Sequence, residues 1–252
     1  MNTGSSKPLN GKAYGHIPHL PGSRMGPSDH HCHDGQRIIC TERKRDKYDV
    51  VTVTCKVDGS CMAVARIGGI IIPLGRAGYP AQTSKFEQHQ LFFQWVMERQ
   101  GRFLELLEDG ERICGEWLAQ AHGTRYNLRH EPFCPFDLMR GAGRAPYEEL
   151  VARVQAIGFT VPALLVGHRA TDPVSVDHVM AELKNRYHGE LDDPEGAVWR
   201  VERKGAFDFM AKFVRPDKID GCFLPEVSGL PAIWNWRPWP LLTPKRQFWV
   251  AL

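Results

Sequence analysis

Apolar and polar positions fall into short regular alternations from Tyr48 onward. Val51, Val53 and Cys55 alternate with Thr52 and Thr54, the period of a strand with one buried face, and the run ends at Lys56. Two further strand-like runs, 61–67 and 70–74, are separated by Gly68 and Gly69, which supply the positive φ angles of a tight hairpin. Ser84-Lys85-Phe86-Glu87 has the spacing of a capping box. Phe86, Phe92, Phe93, Val96, Phe103 and Leu107 then recur at mostly helical intervals, predicting a helix over 84–107. Strands are predicted over 111–118 and 132–139, helices over 147–157 and 176–187, and a buried strand-like run over 159–166. A last hairpin joins 195–201 to 207–214 across Lys204-Gly205. Residues 1–36 are rich in Gly, Pro, Ser and His without periodicity and read as an irregular arm. Strands with helices inserted between them predict an α+β domain of antiparallel sheets with flanking helices. With no internal repeat or low-complexity linker, 37–252 reads as one domain.

Composition changes this picture little. At 42% hydrophobic and 24% charged residues the chain is an ordinary globular sequence, and a formal charge of +3 permits a polyanionic partner without requiring one. The seven cysteines are scattered at 32, 40, 55, 61, 114, 134 and 222, with no pair at zinc or redox spacing, as in a reduced, cytoplasmic protein. The N-terminus lacks the apolar core of a signal peptide, and no run of about 18 apolar residues is present to span a membrane.

Chemistry is concentrated at strand ends. Lys56-Val57-Asp58-Gly59-Ser60 places a lysine, a carboxylate and a glycine turn at the end of the first strand. Such an amine becomes a nucleophile only when burial or nearby positive charge removes its proton. Downstream lie Arg76 in Gly75-Arg76-Ala77-Gly78, Glu116 in Gly115-Glu116-Trp117, and Phe136-Asp137 at the end of Phe133-Cys134-Pro135. Glu195 opens the last hairpin and Lys212 lies near its end. Glu116 shares a strand face with Cys114 and Leu118, where a carboxylate needs a partner or a task.

This order of motifs resembles the covalent nucleotidyltransferase superfamily of polynucleotide ligases and mRNA-capping enzymes. Within it the chain is most similar to ATP-dependent RNA ligases of the phage and bacterial RNA-repair branch, from Lys56 to about Val214. The resemblance implies an ATP-grasp-like ligase adenylylation domain. It implies Lys56 as the nucleophile toward the α-phosphate of ATP, with Asp58 and Gly59 in the nucleotide site. Arg76 would contact phosphate or ribose, Glu116 the ribose hydroxyls, and Phe136, or else Phe133, the adenine ring. Glu195 would hold Mg²⁺ (or Mn²⁺), and Lys212 would neutralise the α-phosphate. The implied partner is RNA with 5′-phosphate and 3′-hydroxyl ends, joined through a lysyl-AMP and an adenylylated RNA end. The family's last motif commonly has a second lysine, here Val214, which leaves Arg215 and Lys204 as substitutes.

DNA ligases and GTP-using capping enzymes share the motifs but usually continue into an oligonucleotide-binding-fold domain. Only 38 residues follow Val214, so no such domain is expected. A non-catalytic nucleic-acid-binding relative would have no need of Lys56, Glu116 and Glu195 together. His30-His31-Cys32-His33-Asp34 offers consecutive ligands that do not converge easily on one ion, and reads as part of an arm that could touch phosphates with Arg24 and Arg37. The tryptophans of 233–239 read as packing against the domain rather than as a base-stacking platform.

Overall fold

The computed structural model describes residues 6–165 and 172–238. In chain order its elements are α1 (Asp34–Thr41), β1 (Asp49–Lys56), β2 (Ser60–Ile67), β3 (Ile70–Gly75), α2 (Glu87–Glu98), α3 (Gln100–Leu106), β4 (Glu111–Trp117), β5 (Phe133–Arg140) and β6 (Gly143–Arg144). There follow α4 (Tyr147–Ala156), α5 (Val176–Glu182), β7 (Gly196–Arg203), β8 (Ala206–Val214) and α6 (Pro225–Ser228). The strands make two antiparallel sheets, one ordered β1-β7-β8 and the other β3-β2-β4-β5-β6. Both tight hairpins turn on paired positive φ angles, 58° and 78° at Gly68 and Gly69 and 52° and 76° at Lys204 and Gly205.

Side-chain alternation decides which face of each sheet is core. In the three-stranded sheet Val51, Val53, Cys55, Ala197, Trp199, Val201, Ala211 and Phe213 pack with Leu20, Ile39, Val179 and Leu183. The opposite-parity residues Thr54, Lys56, Val198, Arg200, Met210, Lys212 and Val214 line a cavity. In the larger sheet Met62, Val64, Ile113, Trp117 and Phe133 pack against Phe92, Trp95 and Val96 of α2, Phe103 of α3 and Leu150 of α4. Its other face carries the small residues Ala63, Ala65 and Cys114. That side leaves room for the cavity between the sheets.

A buried ionic network joins the two sheets. Asp137 on β5 is fully buried and accepts from Tyr14 Oη (2.9 Å), Arg144 Nε (2.6 Å) and, on β7, Arg200 Nη1 (2.9 Å). Arg200 Nε in turn donates to Glu202 Oε1 at 2.7 Å, which also accepts from the backbone N–H of Tyr147.

Several predicted elements differ in detail. Ser84 caps no helix, because its hydroxyl is engaged by His89 Nδ1 at 2.8 Å and the backbone N–H of Phe86. The helix starts at Glu87 and is broken at Arg99 (φ −115°, ψ 15°), where α3 begins. The run 159–166, of which Val166 lies outside the described residues, is not a regular strand. Among the described residues it meets β1 through Cys55 N, which donates to Ala163 O, and Leu165 N, which donates to Val53 O; the ladder goes no further because Ala163 N turns to His188 Nε2 at 2.9 Å. The helix predicted over 176–187 ends at Glu182 and tightens into a 3₁₀ turn, Leu183–Asn185, before Arg186 reverses the chain at φ 53°. Sequence periodicity misses α1, which straddles residue 36.

Ahead of α1, residues 18–24 lie along the outer edge of β8, and 30–32 run beside His19. Lys212 N donates to Pro18 O, Leu20 N to Lys212 O, and Cys32 N to His19 O. Trp234 and Trp236 pack on the core of the larger sheet, Trp236 edge-on to Trp117 at 5.8 Å; Trp239 lies outside the described residues. All seven cysteines are free. No helix among the described residues is long and apolar enough to cross a membrane.

Candidate active site

Lys56 is the last residue of β1, and the alternation that buries Val53 and Cys55 turns it into the cavity, whose volume is about 940 Å³. Register brings its neighbours into place. Lys56 is paired with Gly196 and Gly196 with Val214, while Thr54, Val198 and Lys212 form the next row. A Cβ on Gly196 would lie 1.9 Å from Phe213 O, so that position admits no side chain. Glu195, just before β7, is 7% exposed, and Lys56 Nζ donates to its Oε2 at 2.6 Å.

The charges here are strongly coupled. Burial disfavours the Lys56 ammonium, but Glu195 and Glu116 outweigh burial and hold its pKa above the usual lysine value. Burial raises Glu195, with Lys56 opposing. Burial pushes Glu116 up to about 7, with Lys56 opposing and Glu195 reinforcing the shift, while Glu116 Oε1 accepts from Gly59 N at 3.1 Å. Lys56 is therefore a charged ammonium, and a nucleophilic role would need a change in its electrostatic company.

The Glu116 shift has a direct consequence for stability. Its folded pKa lies above the unfolded value of 4.5, so its contribution is fully present below about pH 4.5 and is lost as the pH rises through about 7. Glu116→Gln, which keeps the neutral form, is expected to melt close to wild type at pH 5 and above wild type at pH 8. Parallel melting curves across that range would contradict the shift.

Asp58 and Gly59 build the turn after Lys56. The Asp58 carboxylate accepts from Gly123 N (2.8 Å) and from the buried Lys218 Nζ (2.7 Å), and Lys218 outweighs burial to keep it below the usual carboxylate range. A Cβ on Gly59 would stand 2.4 Å from Trp117 O, so only glycine fits beside β4.

Arg76 follows β3, is exposed, lines the cavity and donates to Gly15 O at 2.9 Å. The two phenylalanines of β5 separate cleanly. Phe133 is fully buried in the aromatic core, whereas Phe136 lines the cavity. Three residues apart on one strand, they point to opposite faces by alternation, and Phe136 has its ring against Tyr14 at 5.0 Å. A β-bulge at Phe136, where Cys114 pairs with Asp137 and Gly115 with Pro135, then brings Asp137 to the same side. Lys212 lies 3.7 Å from Asp29 Oδ1, and burial, then Lys56, lowers its pKa. Neither Lys204 nor Arg215 lines the cavity. Lys204 sits at the hairpin tip over Tyr48, and Arg215 is bound to Pro194 O and Asp217.

The cavity also contains residues that sequence reasoning missed or only brushed. His19, Arg24 and Asp29 arrive from the segment beside β8, and Ser60, His89 and His122 form a hydrogen-bonded cluster near the turn. None carries a local signal, since their placement depends on contacts distant in sequence. Among the described residues no group of three or more His, Cys, Asp or Glu side chains is placed to share a metal ion.

A family model described as RNA ligase matches residues 49–214. No curated protein matches the chain. Among solved structures it is similar to an archaeal ATP-dependent RNA ligase, at 18% identity and a TM-score of 0.43, over 66% of this chain and 42% of that one. It is also similar to the Naegleria gruberi RNA ligase with PPi, at 19% identity and a TM-score of 0.47, over 85% of this chain and 60% of the other. A mutant of the Naegleria gruberi enzyme with AMP and Mn gives 19% identity and a TM-score of 0.47, over 84% and 60%. The chain thus spans 42% to 60% of the length of these structures.

Proposed function

The chain belongs to the RNA ligase family, and from that premise we propose that it is an ATP-dependent ligase joining RNA 5′-phosphate and 3′-hydroxyl ends through AMP carried on Lys56. The supporting observation is convergence. Lys56, Arg76, Glu116, Phe136, Glu195 and Lys212 come from six separate places in the chain and all line one cavity. On this reading the domain is an adenylylation domain of the ATP-grasp-like kind, of the phage and bacterial RNA-repair branch.

The chemistry follows from the charges. The Lys56 ammonium first releases a proton to solvent, as positive charge gathered beside it lowers its pKa. The neutral amine attacks the α-phosphorus of ATP; an N–P bond forms, a P–O bond breaks, pyrophosphate leaves, and the nitrogen gives up a second proton to solvent. Lys212 and Arg76 offset charge on the phosphate oxygens, Glu116 holds the ribose hydroxyls, and Phe136 stacks on adenine. The 5′-phosphate of RNA then displaces Lys56 from phosphorus, and the amine regains its protons. Last, a 3′-hydroxyl attacks that 5′-phosphate, making a phosphodiester and releasing AMP. Mg²⁺ fits this donor set, since it usually takes one or two carboxylates and completes its shell with phosphates and water rather than a protein cage. A Mg²⁺ or Mn²⁺ ion held by Glu195 would supply positive charge beside the Lys56 amine and favour its neutral form.

A panel of ends tests the reading. With ATP and Mg²⁺ the protein is expected to join RNA strands bearing a 5′-phosphate and a 3′-hydroxyl, with GTP a poor replacement. Joining of nicked DNA alone would favour a DNA ligase. Labelling by GTP in preference to ATP would favour a capping enzyme.

A further inference from the structure

The cavity wall beside Lys212 is supplied by residues that precede the segment matched by the family model. His19 is 1% exposed and lines the cavity, and its Nε2 faces a carboxylate oxygen, Asp29 Oδ2, 3.2 Å away and poorly aligned to accept from it. The proton on this ring can be placed. Nδ1 is 2.6 Å from Ser23 Oγ, a hydroxyl that already accepts from Val214 N at 2.9 Å. The alternative acceptor for the hydroxyl hydrogen, Arg24 O, is 3.4 Å away, so the hydrogen goes to Nδ1. Nε2 therefore carries the ring proton and presents an N–H donor. Burial, then Lys212, pushes the pKa of His19 down to about 4, so the ring stays neutral.

Two more groups complete the wall. Asp29 Oδ2 lies 3.2 Å from His19 Nε2 without hydrogen-bond alignment; Oδ2 accepts from Gly26 N, and Oδ1 faces Lys212. Arg24 lines the same wall and pairs with Asp220, whose side chain is 63% exposed. An ion pair with so exposed a partner contributes little, so the guanidinium exchanges partners at small cost.

We propose that Arg24 and His19, beside Lys212, form a second phosphate subsite of the cavity; this rests on the reading of Lys56 as the nucleophile and extends it. The ligand is a multiply charged phosphate oxyanion, which accepts from an imidazole N–H and a guanidinium fork. Its source is either the tail of ATP, which leaves as pyrophosphate, or the 5′-phosphate of RNA. Asp29 remains the counter-ion of Lys212, and Asp220 competes with the ligand for Arg24.

Three variants test this: Arg24→Ala, His19→Gln, and Asp220→Asn, which frees the guanidinium. Three readouts are followed: calorimetric binding of inorganic pyrophosphate in magnesium buffer, half-saturation by ATP in labelling, and single-turnover transfer of AMP from pre-labelled protein to 5′-phosphorylated RNA. Arg24→Ala is expected to weaken one of these interactions about tenfold, the loss of a charge-assisted hydrogen bond, and His19→Gln less. Asp220→Asn should strengthen the same interaction. Effects on pyrophosphate and ATP assign the subsite to the ATP tail; an effect confined to transfer assigns it to the RNA end. Unchanged readouts in an Arg24→Ala protein with wild-type melting overturn the proposal. Pyrophosphate binding needs no turnover, so an Arg24-dependent signal survives even if Lys56 is not the nucleophile. Normal labelling with no Arg24 effect removes the subsite alone.

Discussion

Lys56→Ala and Lys56→Arg are both expected to lose AMP transfer from α-labelled ATP by about 10⁴-fold or more, equivalent to over ~5 kcal/mol of transition-state stabilisation. On the proposed mechanism, alanine removes the attacking nitrogen. Arginine restores a cation beside Glu195, yet a guanidinium does not become a neutral amine at any working pH. The pair therefore separates nucleophile from counter-ion. In Lys56→Ala the Glu195 carboxyl loses the cation 2.6 Å away that opposes its burial, so its pKa rises further and it protonates rather than remaining an isolated buried charge. Both variants should consequently fold, with Lys56→Arg the closer to wild type in melting temperature. Labelling of either variant at the wild-type level would exclude Lys56 as the site of attachment.

Asp137→Ala is expected to cost about 3–5 kcal/mol of folding free energy, the largest stability effect of any single change in the chain considered above. The carboxylate is fully buried and satisfies Tyr14, Arg144 and Arg200 at once, and the Arg200 side chain is itself only 4% exposed. Truncation leaves that guanidinium with Glu202 and Ala145 O as its remaining partners while its charge stays between the sheets. Because the network joins β5, β7 and the segment around Tyr14, loosening it also loosens the cavity that carries Lys56 and Phe136. Asp137→Asn, which keeps one acceptor oxygen, should lose less. Urea denaturation with Asp137→Ala, Arg200→Met and the double variant should give a combined loss smaller than the sum of the single losses. A loss below about 1 kcal/mol for Asp137→Ala would mean that the network contributes little.

The strand framework was legible because alternation in the sequence is a direct record of which face is buried. Val51, Val53 and Cys55 predict β1, and the same parity sends Lys56 to the opposite face. The candidate residues at strand ends follow from this pattern together with the family resemblance. The choice between Phe133 and Phe136 was not legible, because alternation puts them on opposite faces without marking which face meets the aromatic core and which the cavity. The break at Arg99 and the irregular course of 159–165 were also hidden, since helical spacing continues past the first and apolar character past the second. Lys218 looks like a surface charge in Arg215-Pro216-Asp217-Lys218, yet it is 3% exposed against Asp58. His19, Arg24 and Asp29 sit in a stretch without periodicity, and bonds to Lys212 and Val214 of β8, with Asp29 facing the Lys212 side chain, bring them to the cavity.

The most direct test of Lys56 as the carrier of AMP is the intact mass of the protein after incubation with ATP and Mg²⁺, followed by peptide mapping. The expected result is a gain of one AMP on the peptide containing Lys56, reversed by pyrophosphate and absent from Lys56→Ala. No gain in mass, or a gain that persists in Lys56→Ala, would contradict it.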